Sequence, residues 1–228
     1  MSLEFESIQE SLEKRKLKNP IKFNLTLNEE QKQAKDVILN NVITVLKGKA
    51  GSGKTLLACQ IALDLLFKKE IKKIIISRPT VSKEEIGFLP GDIKEKMDPW
   101  VAPVYQNFYK LYNKEKILKH LTEGDIEILP FAFMRGITFT ESFVIVDEAQ
   151  NVTSPQMEMV LSRLGTDSKM VICGDLMQTD LNSKKDSGFN FLSKLAANIT
   201  GFEIFELKNN HRHSIVDSIL QYYQQAQV

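Results

Sequence analysis

Cysteine is nearly absent from this 228-residue chain, and the two that occur, Cys59 and Cys173, stand far apart inside apolar runs. This excludes a disulfide framework and a four-cysteine zinc site, and it reads as two reduced core thiols. An excess of one charge is lacking too: 30 Lys and Arg against 29 Asp and Glu leave a formal net charge of +1. A polyanionic partner would have to be held by local basic patches, since the molecule as a whole offers no field. No apolar run approaches the length of a membrane span, and Met1 to Glu10 is acidic with no signal-peptide apolar region. The expectation is a soluble, cytoplasmic protein with no membrane partner. Repeats and low-complexity tracts are missing as well. With 43% hydrophobic residues, the chain can bury a full core as one domain carrying an insertion.

The order of apolar runs supplies the fold class. Residues 1–26 combine an acidic start with Lys14-Arg15-Lys16-Leu17-Lys18 and Pro20, and read as a solvated amphipathic helix or arm. Ala34, Val37 and Ile38, with Asn28 as N-cap, predict a helix between Leu27 and Leu39. Strands are expected at Val42 to Leu46, Lys72 to Ile76, Phe143 to Val146, Lys169 to Cys173 and Phe202 to Phe205. Between them lie helix-like segments at Lys54 to Phe67, Ser154 to Leu164 and Gly188 to Ala197. Strands alternating with helices imply an α/β domain over 27–228, with a mostly parallel sheet covered on both faces. Residues 80–122, rich in Pro and Tyr, break this rhythm and read as a helical insertion at the sheet's edge.

The chemistry concentrates first in Gly48-Lys49-Ala50-Gly51-Ser52-Gly53-Lys54-Thr55, which fits the phosphate-loop pattern G-x-x-x-x-G-K-[ST] between a strand and a helix. Small residues at Gly48, Ala50, Gly51, Ser52 and Gly53 let backbone N–H groups face a phosphate, and the following helix adds its positive dipole end. Lys54 would carry charge to the β and γ oxygens, and Thr55 would offer a hydroxyl to Mg²⁺. Phe143 to Val146 ends in Asp147-Glu148, which places two carboxylates at a strand's C-terminal tip. Asp147 is expected to hold the Mg²⁺ shell and Glu148 to polarise the attacking water. Gln178, after the strand ending near Gly174, and Arg212, opening the last helix, are placed to sense and stabilise the γ-phosphate. Isolated Gln and Arg residues are more often surface groups, so both depend on the loop for their interpretation.

Several further segments resemble the PhoH family of ATPases: Ser77-Arg78-Pro79, Gly87-Phe88-Leu89-Pro90-Gly91-Asp92, Phe133-Met134-Arg135-Gly136, Val146-Asp147-Glu148-Ala149-Gln150-Asn151, Gly174-Asp175-Leu176-Met177-Gln178-Thr179-Asp180-Leu181 and Arg212-His213. Order and spacing agree from about Leu27 to the C-terminus. The resemblance implies a three-layer RecA-like P-loop core related to superfamily 1 helicases, ATP hydrolysis and a role in RNA metabolism. It also makes Leu27-Asn28-Glu29-Glu30-Gln31 similar to a helicase Q motif in which Gln31 reads adenine, and it matches Gln178 and Arg212 to γ-phosphate contacts. Two departures stand out. Lys208-Asn209-Asn210-His211 replaces the acidic and aliphatic run usual in the family, and Gly136-Ile137-Thr138 lacks a second Arg.

ATP and Mg²⁺ are thus the expected ligands, and RNA or single-stranded DNA the expected partner, with Arg78 and Arg135 as phosphate contacts and Lys94 and Lys96 beside them. Tyr105, Phe108, Tyr109 and Tyr112 could stack bases, but their spacing is that of a core stripe. A single RecA-like core leaves one face of ATP open, so a homo-oligomer is expected, a ring and in the extreme a hexamer, with Arg163, Arg135 or Arg78 acting in trans. Two other functions compete. In a non-motor switch, ATP occupancy would alter a protein-binding surface. A nucleoside kinase is disfavoured because thymidine kinases carry a zinc lasso that two cysteines cannot build.

Overall fold

The computed structural model describes residues 22–79, 93–181 and 187–210, together with 215, 216, 219 and 222; for 93–100, 132 and 176 it describes the backbone alone. The expected arm over 1–26 lies mostly outside these residues, as do the start of the expected insertion and Arg212.

Six strands run in chain order: β1 (Ile43–Gly48), β2 (Lys73–Ser77), β3 (Ile126–Ile128), β4 (Ser142–Val146), β5 (Lys169–Gly174) and β6 (Phe202–Leu207). They form one sheet in the order β3-β2-β4-β5-β1-β6, and every neighbouring pair is parallel. A parallel sheet must be covered on both faces, which is why the inner strands β2, β4 and β5 are apolar without alternation, whereas the edge strands β3 and β6 carry glutamates. Side-chain direction still alternates along each strand. In β4, Phe143 and Ile145 join one apolar cluster while Val144 and Val146 join the other.

The first face is covered by helices α1 (Glu29–Asn40), α2 (Lys54–Phe67), α3 (Ile93–Leu111) and α4 (Lys114–Glu123). Asn28 caps α1 as the sequence predicts, and Gln31 completes a capping box by returning a hydrogen bond, which the sequence reading did not include. Helix α2 is buried almost all round, from Leu57 to Leu66, because it lies between the sheet and α3. The second face carries α5 (Ser154–Leu161), α6 (Leu192–Asn198) and short 3₁₀ turns, packed through Met157, Val160, Phe189 and Leu192. The architecture is a three-layer α/β arrangement around an all-parallel sheet, with the phosphate-loop sequence between β1 and α2.

Three local differences from the sequence reading have physical causes. Strand β3 escapes detection because its three residues, Ile126-Glu127-Ile128, are too few to carry a period and pair with β2 alone. Helix α5 stops at Leu161, where Arg163 and Leu164 close tight turns onto Val160 and Leu161. The segment from Gly188 begins as a 3₁₀ turn, Gly188–Phe191, before α6.

Helices α3 and α4 are the crossover from β2 to β3. Val104, Phe108, Leu111 and Ile117 enter the core shared with α2 and the sheet. Phe108 is 0% exposed, and Tyr112 packs against Phe67 with ring centroids 4.9 Å apart. The aromatic spacing is therefore a core stripe. Phe108→Ala should lower stability by about 3–5 kcal/mol, seen as an earlier denaturant midpoint at unchanged slope. A base-stacking surface residue would shift stability by no more than about 0.5 kcal/mol, and that result would remove Phe108 from the core.

Candidate nucleotide site

Strand β1 ends at Gly48, and α2 starts after Gly53, so the loop between them occupies the C-terminal edge of the sheet. Gly48 has φ +155°, and a Cβ there would lie 2.6 Å from the Leu207 carbonyl oxygen. Gly53 caps α2 with φ 83°, a conformation costly for any residue with a side chain. Lys54 reaches back over the loop, where its Nζ donates to the carbonyl oxygens of Gly48 at 2.7 Å and Lys49 at 3.1 Å. A mobile ammonium is thus held at the mouth of a backbone cradle suited to anions.

Across the strand tips, the Thr55 hydroxyl donates to Asp147 Oδ1 at 2.6 Å. Thr55 opens α2 and Asp147 follows β4, so the contact spans the tip of β5. Asp147 is 7% exposed. Burial raises its carboxyl above the ordinary value and Glu148 adds to the rise, against the opposing Thr55 hydrogen bond and the Arg78 charge. Cys173 and Cys59 lie buried and free, and burial, with Asp147 adding to it, pushes both thiols up. They are packing groups, as the sequence implied.

Glu148 has φ 51° and ψ 40°, a left-handed conformation unusual for a residue with a side chain. Its Oε2 accepts from Gln150 Nε2 at 2.7 Å, and its Oε1 lies 3.5 Å from an Arg78 guanidinium nitrogen.

One cleft of about 540 Å³ gathers Gln31, Ala50, Gly51, Gly53, Lys54, Thr55, Asp147, Glu148 and Gln178. Gly48 and Ser52 shape the loop behind it, with Ser52 buried. Leu25, Leu27 and Leu56 also line the cleft, an apolar contribution suited to a base. Gln31 keeps its Oε1 on the Asn28 N–H at 3.1 Å, so its amide –NH₂ is the group that can read a base edge. Arg78 lies beside Glu148 and lines a second hollow shared with Gln178 and Asp180, outside the cleft itself. Arg135 is exposed on the turn before Gly136, next to Phe133, and does not line the cleft. Arg163 sits past the end of α5, its Nε on the Met159 carbonyl at 3.2 Å and its own carbonyl bonded by Phe139 ahead of β4. That is the edge of the sheet opposite the cleft.

The sequence did not single out two contributors. Glu30 accepts the backbone N–H groups of Lys208 at 2.7 Å and Asn209 at 3.1 Å, and so ties α1 to the segment leading to Arg212. Asn151 and Asp180 exchange two hydrogen bonds, from Asp180 N–H at 2.7 Å and Asn151 Nδ2 at 3.0 Å. Both residues fall within motifs quoted above, but nothing along the chain tells which partner a polar side chain will meet.

A glycine-rich loop feeding a buried helix, with a Thr–Asp pair at the tips of parallel strands, defines a P-loop nucleotide-binding protein. The chain belongs to the PhoH family, whose model, described as "PhoH-like protein", matches residues 25–224. A PhoH-like protein of Synechocystis is 40% identical over 86% of this chain and 61% of its own length. One from Bacillus subtilis is 43% identical over 77% and 56%, and Protein PhoH of Escherichia coli is 40% identical over 73% and 48%. The chain thus spans roughly half to three-fifths of these curated relatives. Among solved structures, the Candida albicans Pif1 helicase is similar at 18% identity and TM-score 0.46, over 86% of this chain and 43% of that one. The Sulfolobus solfataricus SWI2/SNF2 ATPase core is similar at 16% and 0.47, over 84% and 46%. No helix among the described residues is long and apolar enough to cross a membrane.

The raised Asp147 carboxyl has a stability consequence. Because the folded state holds that proton more tightly than the unfolded one, ionised Asp147 subtracts stability above its folded-state pKa, and the penalty fades as pH falls through that value. Asp147→Asn, which can still accept the Thr55 hydroxyl, should therefore melt higher than wild type at neutral pH without nucleotide, and the gap should shrink on acidification. A lower melting temperature at neutral pH would contradict this electrostatic reading.

Proposed function

We propose that the protein binds ATP with Mg²⁺, hydrolyses it, and uses the turnover to remodel single-stranded RNA or DNA. The observation that carries this reading is the 2.6 Å Thr55–Asp147 contact, with Lys54 over the loop and Glu148 beside it in one cleft. Two hard oxygen donors placed together suit Mg²⁺, which would neutralise charge on the β and γ phosphates there. Loop N–H groups and the N-terminus of α2 receive the phosphates, and Lys54 exchanges its two carbonyl partners for phosphate oxygens. Glu148 accepts a proton from the attacking water, which it orients toward the γ-phosphorus. Gln178 meets the γ-phosphate from the exposed rim, and Arg212, outside the described residues, supplies charge to the transferring group. Gln31 reads the base.

Support for nucleic acid comes from the helicase-like motif set and from Arg135 beside Phe133. Phe133 is 58% exposed, so its ring offers a stacking face next to a phosphate-binding cation. A neighbouring copy closing the exposed γ-phosphate side would make the working form an oligomer. Sedimentation with ATP present should detect it; a monomer at every concentration removes that element.

The direct test is ATP turnover by wild type and Lys54→Ala, with and without single-stranded oligonucleotides. Lys54→Ala should lose about 100-fold or more, and oligonucleotide should stimulate wild type in a salt-sensitive way. Turnover indifferent to every nucleic acid would favour a switch that alters a protein-binding surface. Turnover unchanged in Lys54→Ala would overturn the site.

A further inference from the structure

The strongest unassigned group is a buried amide beside the cleft. Gln150 is 1% exposed, although it is polar and two residues from a functional carboxylate. We infer that Gln150 is a positioning residue that fixes the Glu148 carboxylate and locks it to the turn carrying Gln178, so that the water-polarising group and the γ-phosphate contact move as one unit. The inference rests on the hydrolytic reading above.

The geometry has three parts. The left-handed backbone at Glu148 leads into a 3₁₀ turn, Ala149–Asn151, which folds the chain so that a side chain two residues on faces back to the carboxylate. Gln150 Nε2 then donates to Glu148 Oε2 at 2.7 Å and to the Gln178 carbonyl oxygen at 3.3 Å, while Oε1 accepts the Asp175 N–H at 3.1 Å. Finally, the Gln150 carbonyl accepts hydroxyls from Ser187 at 2.7 Å and Thr179 at 3.2 Å, which pins the turn itself.

These partners admit one orientation of the amide. Flipping it would set an oxygen against the carboxylate and the Gln178 carbonyl, and an –NH₂ against a backbone N–H. Glu148 can be aimed only if its oxygens are held: its side chain is 40% exposed, and beside the Gln150 amide on Oε2 its partner is the Arg78 guanidinium, 3.5 Å from Oε1. A buried amide with both ends engaged supplies that restraint and carries it to the Asp175–Gln178 turn. Its partners follow the tips of the neighbouring strands β4 and β5, so the link joins two adjacent strand ends.

Two substitutions separate positioning from mere packing. Gln150→Leu removes every side-chain bond, whereas Gln150→Glu keeps an acceptor for the Asp175 N–H but loses the donor to Glu148. Both should lower kcat by roughly 10- to 100-fold, with the KM for ATP and the affinity for a non-hydrolysable ATP analogue unchanged. Combined with Glu148→Gln, either should cost little beyond the single Glu148 variant, because residues acting as one unit are not additive. If Gln150→Leu folds poorly, the Gln150→Glu variant carries the test. Wild-type turnover beside a Gln150→Glu variant with unchanged kcat, or with kcat and analogue affinity falling together, overturns the inference and leaves the ATPase reading intact. A wild type without turnover under any condition overturns both.

Discussion

The contact between the Thr55 hydroxyl and Asp147 is the constraint on which the rest depends. It joins the first turn of α2 to the tip of β4, although β5 lies between β4 and β1 in the sheet. The two groups can meet only if the strand order places both tips at one edge and nothing rises from β5 between them. Gly174 ends β5, and a Cβ there would stand 2.6 Å from the Phe189 ring. That glycine lets Phe189, in the second apolar layer, close against the tip of β5. Parallel topology and the register of β5 against β1 and β4 thus bring one oxygen pair together.

Holding that pair has an energetic cost. Asp147 is an ionisable group taken out of water, and Glu148 next to it adopts a backbone conformation that side chains disfavour. Such strain persists only where the surroundings over-determine it. Here they do: β4 is buried along its whole length, and Gln150, Asn151 and Asp180 knit the following turn to the loop after β5. Local instability at the strand tips is offset by two apolar layers, one under α2 and one under α5 and α6.

Much of this was legible in the sequence because its signals are local. The phosphate loop declares itself by spacing, α1 by Asn28 as N-cap ahead of Ala34, Val37 and Ile38, and β4 by four consecutive apolar residues ending in two acids. The class of fold and the family followed from their order. What could not be read depends on partners distant along the chain. Glu30 meets Lys208 across a separation of 178 residues, and Gln150 meets Gln178 across 28. A short edge strand such as β3 has no period of its own and exists because β2 offers it a ladder. Tyr and Phe at helical spacing point to a core stripe, and α2 supplies the opposing surface for Phe108. Arg78 and Arg135 were equivalent as basic residues in sequence; in the fold one faces a carboxylate and the other faces solvent.

The most direct measurement of the central claim is the affinity for ATP by calorimetry with Mg²⁺ and with a chelator, for wild type and Thr55→Val. If the Thr55–Asp147 pair is the metal-binding half of a nucleotide site, wild type binds ATP more tightly with Mg²⁺, and Thr55→Val loses that difference while keeping its metal-free affinity. Equal affinity of wild type with and without Mg²⁺, or a Thr55→Val variant with the full Mg²⁺ effect, would contradict the account.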